Sequence, residues 1–206
     1  MGQNEKKDYY LTIEEPVTTE LKIKSSKFIA NAIPVQTKEN AMIQLGTIRT
    51  KYFDATHNCF AYKIGPDGME FRYSDDGEPN GSAGKPILFA INKYNITDIL
   101  VVVTRYFGGT KLGVGGLARA YSDTTEEVLK KAKIKKVFLT KNLKIFTSYE
   151  DYNKVKQLVI KYAVSYDEFH HDAVELIASI PITQIDIFKH QLTEITANRA
   201  GFIEIE

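Results

Sequence analysis

Apolar and polar positions alternate with a period of two along several stretches of the first hundred residues, the spacing of half-buried strands. The stretches are Tyr9–Ile13, Val17–Ile23, Lys27–Pro34, His57–Ile64 and Met69–Tyr73. Between the third and fourth the period lengthens. From Thr37 to about Lys51, Ala41, Leu45 and Ile48 fall on one side of a helix that Thr37 is placed to cap. Pro66-Asp67-Gly68 supplies a hairpin turn, and Ser82 is placed to cap a short helix through Ile91. Ile99–Val103, ILVVV, is unbroken apolar sequence and predicts a strand covered on both faces. A glycine-rich segment follows it, then a helix to about Lys133.

A second, self-contained pattern begins near Leu143. Leu143–Thr147 alternates as a strand, and Ser148 is the candidate cap of a helix carrying Tyr152, Val155, Val159 and Tyr162 on one face. Ala163–Phe169 and Ala173–Ile180 read as strands joined around His170, His171 and Asp172. Pro181 breaks the chain, and Thr183 with Asp186 has the spacing of a capping box. Ile185, Phe188, Leu192 and Ile195 then mark an amphipathic helix, which Gly201 ends before a last strand, Phe202–Ile205. The order βαββαβ is that of the ferredoxin-like unit. The chain is therefore expected to be α+β with two domains, 1–139 and 140–206. The boundary lies within Lys130–Lys144, which holds seven lysines and no acid.

Composition narrows the picture modestly. The 206 residues are 43% apolar and 26% charged, ordinary for a soluble globular protein. No apolar run approaches the roughly 18 residues of a membrane span, and MGQNEKKDYY lacks the apolar segment of a signal peptide. Cys59 is the only cysteine, which excludes an intrachain disulfide and a multi-cysteine metal site. A cytoplasmic protein with no membrane contact is the simplest reading. Residues 1–139 carry 20 basic against 16 acidic side chains, a balance of +4, whereas 140–206 carry 7 against 10, a balance of −3. Attraction to nucleic acid is thus expected of the first part.

Two loops hold more glycine than turns require: DDGEPNGSAGKP, Asp75 to Pro86, and RYFGGTKLGVGGLARAY, Arg105 to Tyr121. Each leads into a helix, whose first amides lack intrahelical partners and whose dipole favours anions. Gly81, Ser82, Gly84 and Lys85 in the first, with Gly108, Gly109, Lys111, Gly113, Gly115, Gly116 and Arg119 in the second, are candidate anion or nucleic-acid contacts. Arg105 and Tyr106 join them, because aromatic and basic side chains beside open backbone suit stacking on single-stranded nucleic acid. The competing reading is that the glycines serve tight turns and close packing. Core packing of the aromatics is likewise the alternative, and it suits Phe107 better than Tyr106.

Named motifs fail strict tests. Gly84-Lys85 is followed by Pro86, so no phosphate loop of the Walker type is present. Gly113-Val114-Gly115-Gly116-Leu117-Ala118 has the letters of a dinucleotide fingerprint, yet it follows a long turn and no acid follows about 20 residues on. No cofactor is expected. Asp75, Asp76 and Glu78, with His57, have oxygen and nitrogen atoms for a hard cation, set against their being turn and solvated residues. Cys59 reads as a buried small apolar residue, Ser82 lacks a nucleophile-elbow context, and His170-His171 has no third ligand.

DDGEPNGSAGKPIL followed by VVVTRYFGGTKLGVGGLARAYSD resembles the signature of the YigZ/IMPACT family, and DATHNCFAY, Asp54 to Tyr62, fits upstream. Asn80 stands where Ser is more usual. The resemblance covers nearly the whole chain, including the smaller C-terminal domain of the bacterial YigZ branch. It implies a first domain similar to domain IV of elongation factor G and to a ribosomal-protein fold, with a second similar to domain V. Eukaryotic relatives act in translational control through a protein partner. The expectation is a non-enzymatic regulator contacting RNA, the ribosome or a protein. The alternative is an enzyme acting on a phosphate-bearing or peptide-like substrate, with or without a metal, since small-molecule kinases share the fold implied for the first domain.

Overall fold

The computed structural model describes residues 8–205, so the polar segment before Asp8 lies outside the described residues. The chain divides into two compact units: residues 10–137, and residues 138–205 with Asp8 and Tyr9.

The larger unit is built on β1 (Tyr9–Ile13), β2 (Val17–Ile23), β3 (Ser26–Pro34), β4 (His57–Ile64), β5 (Glu70–Ser74), β6 (Ile99–Tyr106) and β7 (Ile134–Phe138). Its helices are α1 (Lys38–Lys51), α2 (Gly84–Lys93) and α3 (Gly113–Lys131). Five strands form an antiparallel sheet in the order β2-β3-β6-β4-β5, and β1 pairs with β7. Central strand β6 explains the ILVVV run. Ile99, Val101 and Val103 join the core beneath α2 and α3, while Leu100 and Val102 join the core beneath α1. Helices cover both faces, so alternation disappears from the sequence even though the sheet is antiparallel.

The smaller unit contains β8 (Thr140–Thr147), α4 (Tyr152–Tyr162), β9 (Ser165–His170), β10 (Val174–Pro181), α5 (Ile185–Thr196) and β11 (Gly201–Ile205). Its antiparallel sheet runs β11-β8-β10-β9, the ferredoxin-like order. Leu143, Ile145, Leu176, Ala178 and Ile180 point from it onto Val155, Val159, Phe188 and Leu192 of the two helices. The α+β class and the second βαββαβ unit are as the residue pattern predicts.

Helix ends depart from it. Thr37 does cap α1, its hydroxyl accepting from the Asn40 amide at 3.1 Å. Ser82 does not cap α2; Ala83 occupies that position and the Ser82 hydroxyl is buried without a partner among the described residues. The amides at the start of α2 instead reach the Asp75 carboxylate, which accepts from Ala83 at 2.9 Å and Gly84 at 2.8 Å, and also from Gly81 in the loop before the helix at 2.8 Å. Asp151, not Ser148, stands at the start of α4. The Thr183 hydroxyl bonds to Asp8 rather than closing a box with Asp186. Ala197 ends α5 at φ 49°, followed by Asn198 at φ 62°, and Gly201 opens β11 instead. Asp75 takes the amides that Ser82 was placed to receive, Asp8 takes the Thr183 hydroxyl, and the Ser148 hydroxyl accepts from the Asp151 amide at 3.4 Å from outside the helix.

Candidate functional site

The Asp75–Lys85 loop links β5 to α2, and the Phe107–Leu112 segment links β6 to α3. They converge on one side of the larger unit. A cleft of about 370 Å³ lies between them, lined by Glu78 and Pro79 from the first and by Arg105, Phe107, Lys111, Leu112, Gly113, Val114 and Leu117 from the second.

Its floor is a buried polar cluster. The Arg105 guanidinium meets the Glu78 carboxylate at 2.7 Å, and both side chains are at least nine-tenths buried. Tyr121, fully buried on α3, donates its hydroxyl to the same Glu78 oxygen at 2.8 Å. Arg105 also reaches the Ser26 hydroxyl at 3.4 Å and lies over the rings of Phe28 and Phe107. Cys59 donates its thiol to the Asp75 carbonyl at 2.9 Å, and burial, with three nearby carboxylates, pushes that thiol up to about 12. Burial pushes the Tyr121 phenol upward as well, helped by Cys59 and Glu78. These groups are held as neutral donors, the reverse of an activated nucleophile.

The remaining acids are equally committed. Asp76, at φ 44°, takes the Asn58 amide at 2.7 Å and Arg49 at 2.6 Å, while its carbonyl sits 2.8 Å from His57 Nδ1. Asp75 holds the start of α2. Hence His57, Asp75, Asp76 and Glu78 are all near one another but spend their polar atoms on the backbone, on Arg49 and Arg105, on Tyr121 and, between His57 Nε2 and Glu78 at 3.9 Å, on each other. Among the described residues no group of three or more His, Cys, Asp or Glu side chains is arranged to hold a metal.

Other site candidates separate into two kinds. Gly84 and Gly108 are packing glycines. A Cβ at Gly84 would stand 2.7 Å from the Ser74 backbone, and one at Gly108 would stand 1.7 Å from the Ser25 carbonyl oxygen. Gly81, Gly109 and Gly113 have φ of 74°, 86° and 72° and face open space. Gly115 and Gly116 lie in the first turn of α3, Gly115 with nothing near its Cβ position. Lys111 edges the cleft; Lys85 lies on the neighbouring groove between α2 and α3 with Phe89, Ala118 and Ser122; Arg119 is exposed on α3. Tyr106 is half-buried, bonded to Asp54 at 2.8 Å and covered by Lys27. Phe107, expected inside, is 46% exposed. The aromatic order is thus the reverse of the prediction, because β6 pairing holds Tyr106 while the chain leaves the sheet at Phe107. Ser26 and Phe28 carried no signal that they would meet Arg105, nor Tyr121 that it would meet Glu78.

Residues 24–129 match the Impact N-terminal domain. The IMPACT family member YvyE of Bacillus subtilis is 33% identical over 96% of this chain and 91% of its own length. The chain belongs to the IMPACT family. A family member from Haemophilus influenzae is 34% identical over 92% of this chain and 94% of that one. Among solved structures, the crystal structure of a hypothetical protein superposes with TM-score 0.67 at 27% identity, covering 97% of this chain and 98% of the other. In this member of the IMPACT family both glycine loops and the Glu78–Arg105 pair fall inside the matched domain.

Proposed function

We propose that this chain is a non-enzymatic, translation-associated regulator of the cytoplasm, which docks on a protein surface of the ribosome or of a ribosome-bound factor. The cleft between the glycine loops is the docking face. What carries the reading is the cleft's lining: Pro79, Phe107, Leu112, Val114 and Leu117 are apolar, Phe107 is 46% and Val114 is 57% exposed, and Lys111 stands at the edge. A rigid concave apolar face with a charged rim suits an apolar anchor from another protein. Translation enters through the family's resemblance to elongation-factor domains. The enzymatic alternative is less well supported, since the acids and the thiol that would move protons or attack already serve the scaffold.

A second reading, direct contact with RNA, is favoured by a separate observation. Lys85, Lys111 and Arg119 are exposed and have no ion pair among the described residues. Arg105 takes no part in it, its charge being spent on Glu78. Co-sedimentation with ribosomes over a range of salt separates the two. Docking through the cleft is expected to be lost in Phe107→Ala/Val114→Ser and to change little with salt. RNA contact is expected to be lost in Lys85→Ala/Lys111→Ala/Arg119→Ala and to fall steeply with salt, roughly 0.7 in log–log slope per single-strand phosphate contact. Association that survives both variants would overturn the cleft as the docking face.

A further inference from the structure

Strand β5 is an edge of the five-stranded sheet, with β4 on one side and no strand on the other among the described residues. Edge strands of stable monomers are blunted by lysine, proline, bulges or cover. The opposite edge, β2, follows that rule: it carries Lys22, is followed by Lys24, and its Glu20 pairs with Lys27. Strand β5, Glu70-Phe71-Arg72-Tyr73-Ser74, has neither lysine nor proline. It exposes Phe71 at 54% and Tyr73 at 43%, and Met69 immediately before it at 75%.

Register assigns the faces. Glu70 and Arg72 stand opposite Ile64 and Tyr62, on the α1 side, whereas Phe71 and Tyr73 stand opposite Lys63 and Ala61, on the α2–α3 side. Neither Glu70 nor Arg72 has an ion pair among the described residues, although both are exposed. Suppose the strand pairs antiparallel with its own copy about a two-fold axis perpendicular to the sheet. Such an axis keeps each face on its own side, so only registers that pair residues of the same face are allowed. Centring on Arg72 sets two arginines opposite each other. Centring on Phe71 sets Glu70 opposite Arg72 twice, Phe71 opposite itself and Met69 opposite Tyr73. That register pairs both charges that lack an ion pair among the described residues and brings all three exposed apolar side chains against apolar partners at once.

We infer that the chain forms a two-fold dimer through β5 of each copy, joined in the register centred on Phe71, so that two five-stranded sheets become one of ten strands. The partner is a second copy of this chain because the strand's charge pattern is complementary to itself. Sedimentation velocity of the full chain from about 1 to 100 µM tests it, the expected species having about twice the 23.3 kDa chain mass. Glu70→Arg, which sets like charges opposite each other at two places, should raise the dissociation constant about tenfold or more. Glu70→Arg/Arg72→Glu exchanges the charges and should restore the dimer. Phe71→Cys sets the two new thiols directly opposite each other on the two-fold axis, so oxidation should cross-link the copies, and Cys59 is buried. Circular dichroism confirms that each variant is folded. A monomer throughout the concentration range, a dimer indifferent to Glu70→Arg, or failure of the exchanged pair to restore it would each overturn the inference. Capture of a strand from a different protein by a monomeric chain would overturn it too.

Discussion

Glu78 sits in a loop rich in Gly, Asp and Asn, a context that reads as solvated surface, yet its side chain is only 3% exposed. It is tolerable there because Arg105 neutralises it and Tyr121 donates to it. A buried pair of this kind contributes little net stability against an apolar replacement, but removing one member strands the other. Glu78→Ala is therefore expected to destabilise the fold by about 3–5 kcal/mol, measured by urea unfolding, since it leaves the Arg105 guanidinium buried without its counter-charge. Tyr121→Phe loses only hydrogen bonds to partners that keep others, and about 1 kcal/mol is expected. Similar losses in the two variants would mean that the ion pair is not what holds the loop. Neither role was legible from residue type. The acid was visible as a candidate, but its partners lie 27 and 43 positions away and meet it only when α3 packs onto the sheet.

Within the elements, the glycines of the two loops answer to different physics. Gly108 passes so close to the β2–β3 turn that no side chain fits, and Gly108→Ala is expected to cost more than about 3 kcal/mol or to prevent folding, by overpacking against backbone that cannot yield. Gly115 sits in the first turn of α3 with open space around it and no positive φ. Gly115→Ala should therefore raise stability by up to about 1 kcal/mol, because alanine loses less backbone entropy in a helix. Thermal unfolding of the two variants checks the contrast, and a destabilised Gly115→Ala would mean that the turn is held under a constraint not visible in its surroundings. From sequence the two glycines look alike, seven residues apart in one run. Only the neighbouring chain distinguishes a packing glycine from one that leaves α3's first amides open.

At the scale of the whole chain the two units differ in how they store charge. In the smaller one, Lys141 and Lys189 hold the Glu204 carboxyl down to about 2, and Arg199 and Lys156 hold Asp151 and Glu168 below the usual range. Carboxylates with lowered values stabilise the fold above their ordinary value near 4.5, and the contribution disappears as pH falls toward 2. In the larger unit the burial-raised groups Cys59 and Tyr121 work in the other direction. Above the thiol's ordinary value of 9.0 the unfolded chain has released a proton that the folded chain keeps, so stability falls as pH rises toward about 12. Hydrogen-exchange protection is accordingly expected to weaken first in β10 at about pH 3 and first in β6 at about pH 10. Equal weakening of both strands at each extreme would contradict the assignment.

Periodicity and the ILVVV run placed the helices, the βαββαβ order and every strand but β7, which lies in the lysine-rich stretch expected only as a boundary, because an apolar stripe must face a core whatever its partner is. It also marked the two loops, since glycine density survives any packing. Caps and site chemistry were not accessible in the same way. Ser82, Thr183 and Asp75 each carry an oxygen suited to an orphan amide, and which one receives it depends on distances set by other elements. Burial works likewise: Arg105 and Phe107 are two residues apart, and the fold sent the charge inward and the ring outward. Local sequence determines which conformations and contacts each segment favours. The choice among competing polar partners belongs to the packed tertiary structure, where burial makes one unpaired group cost more than any local preference can recover.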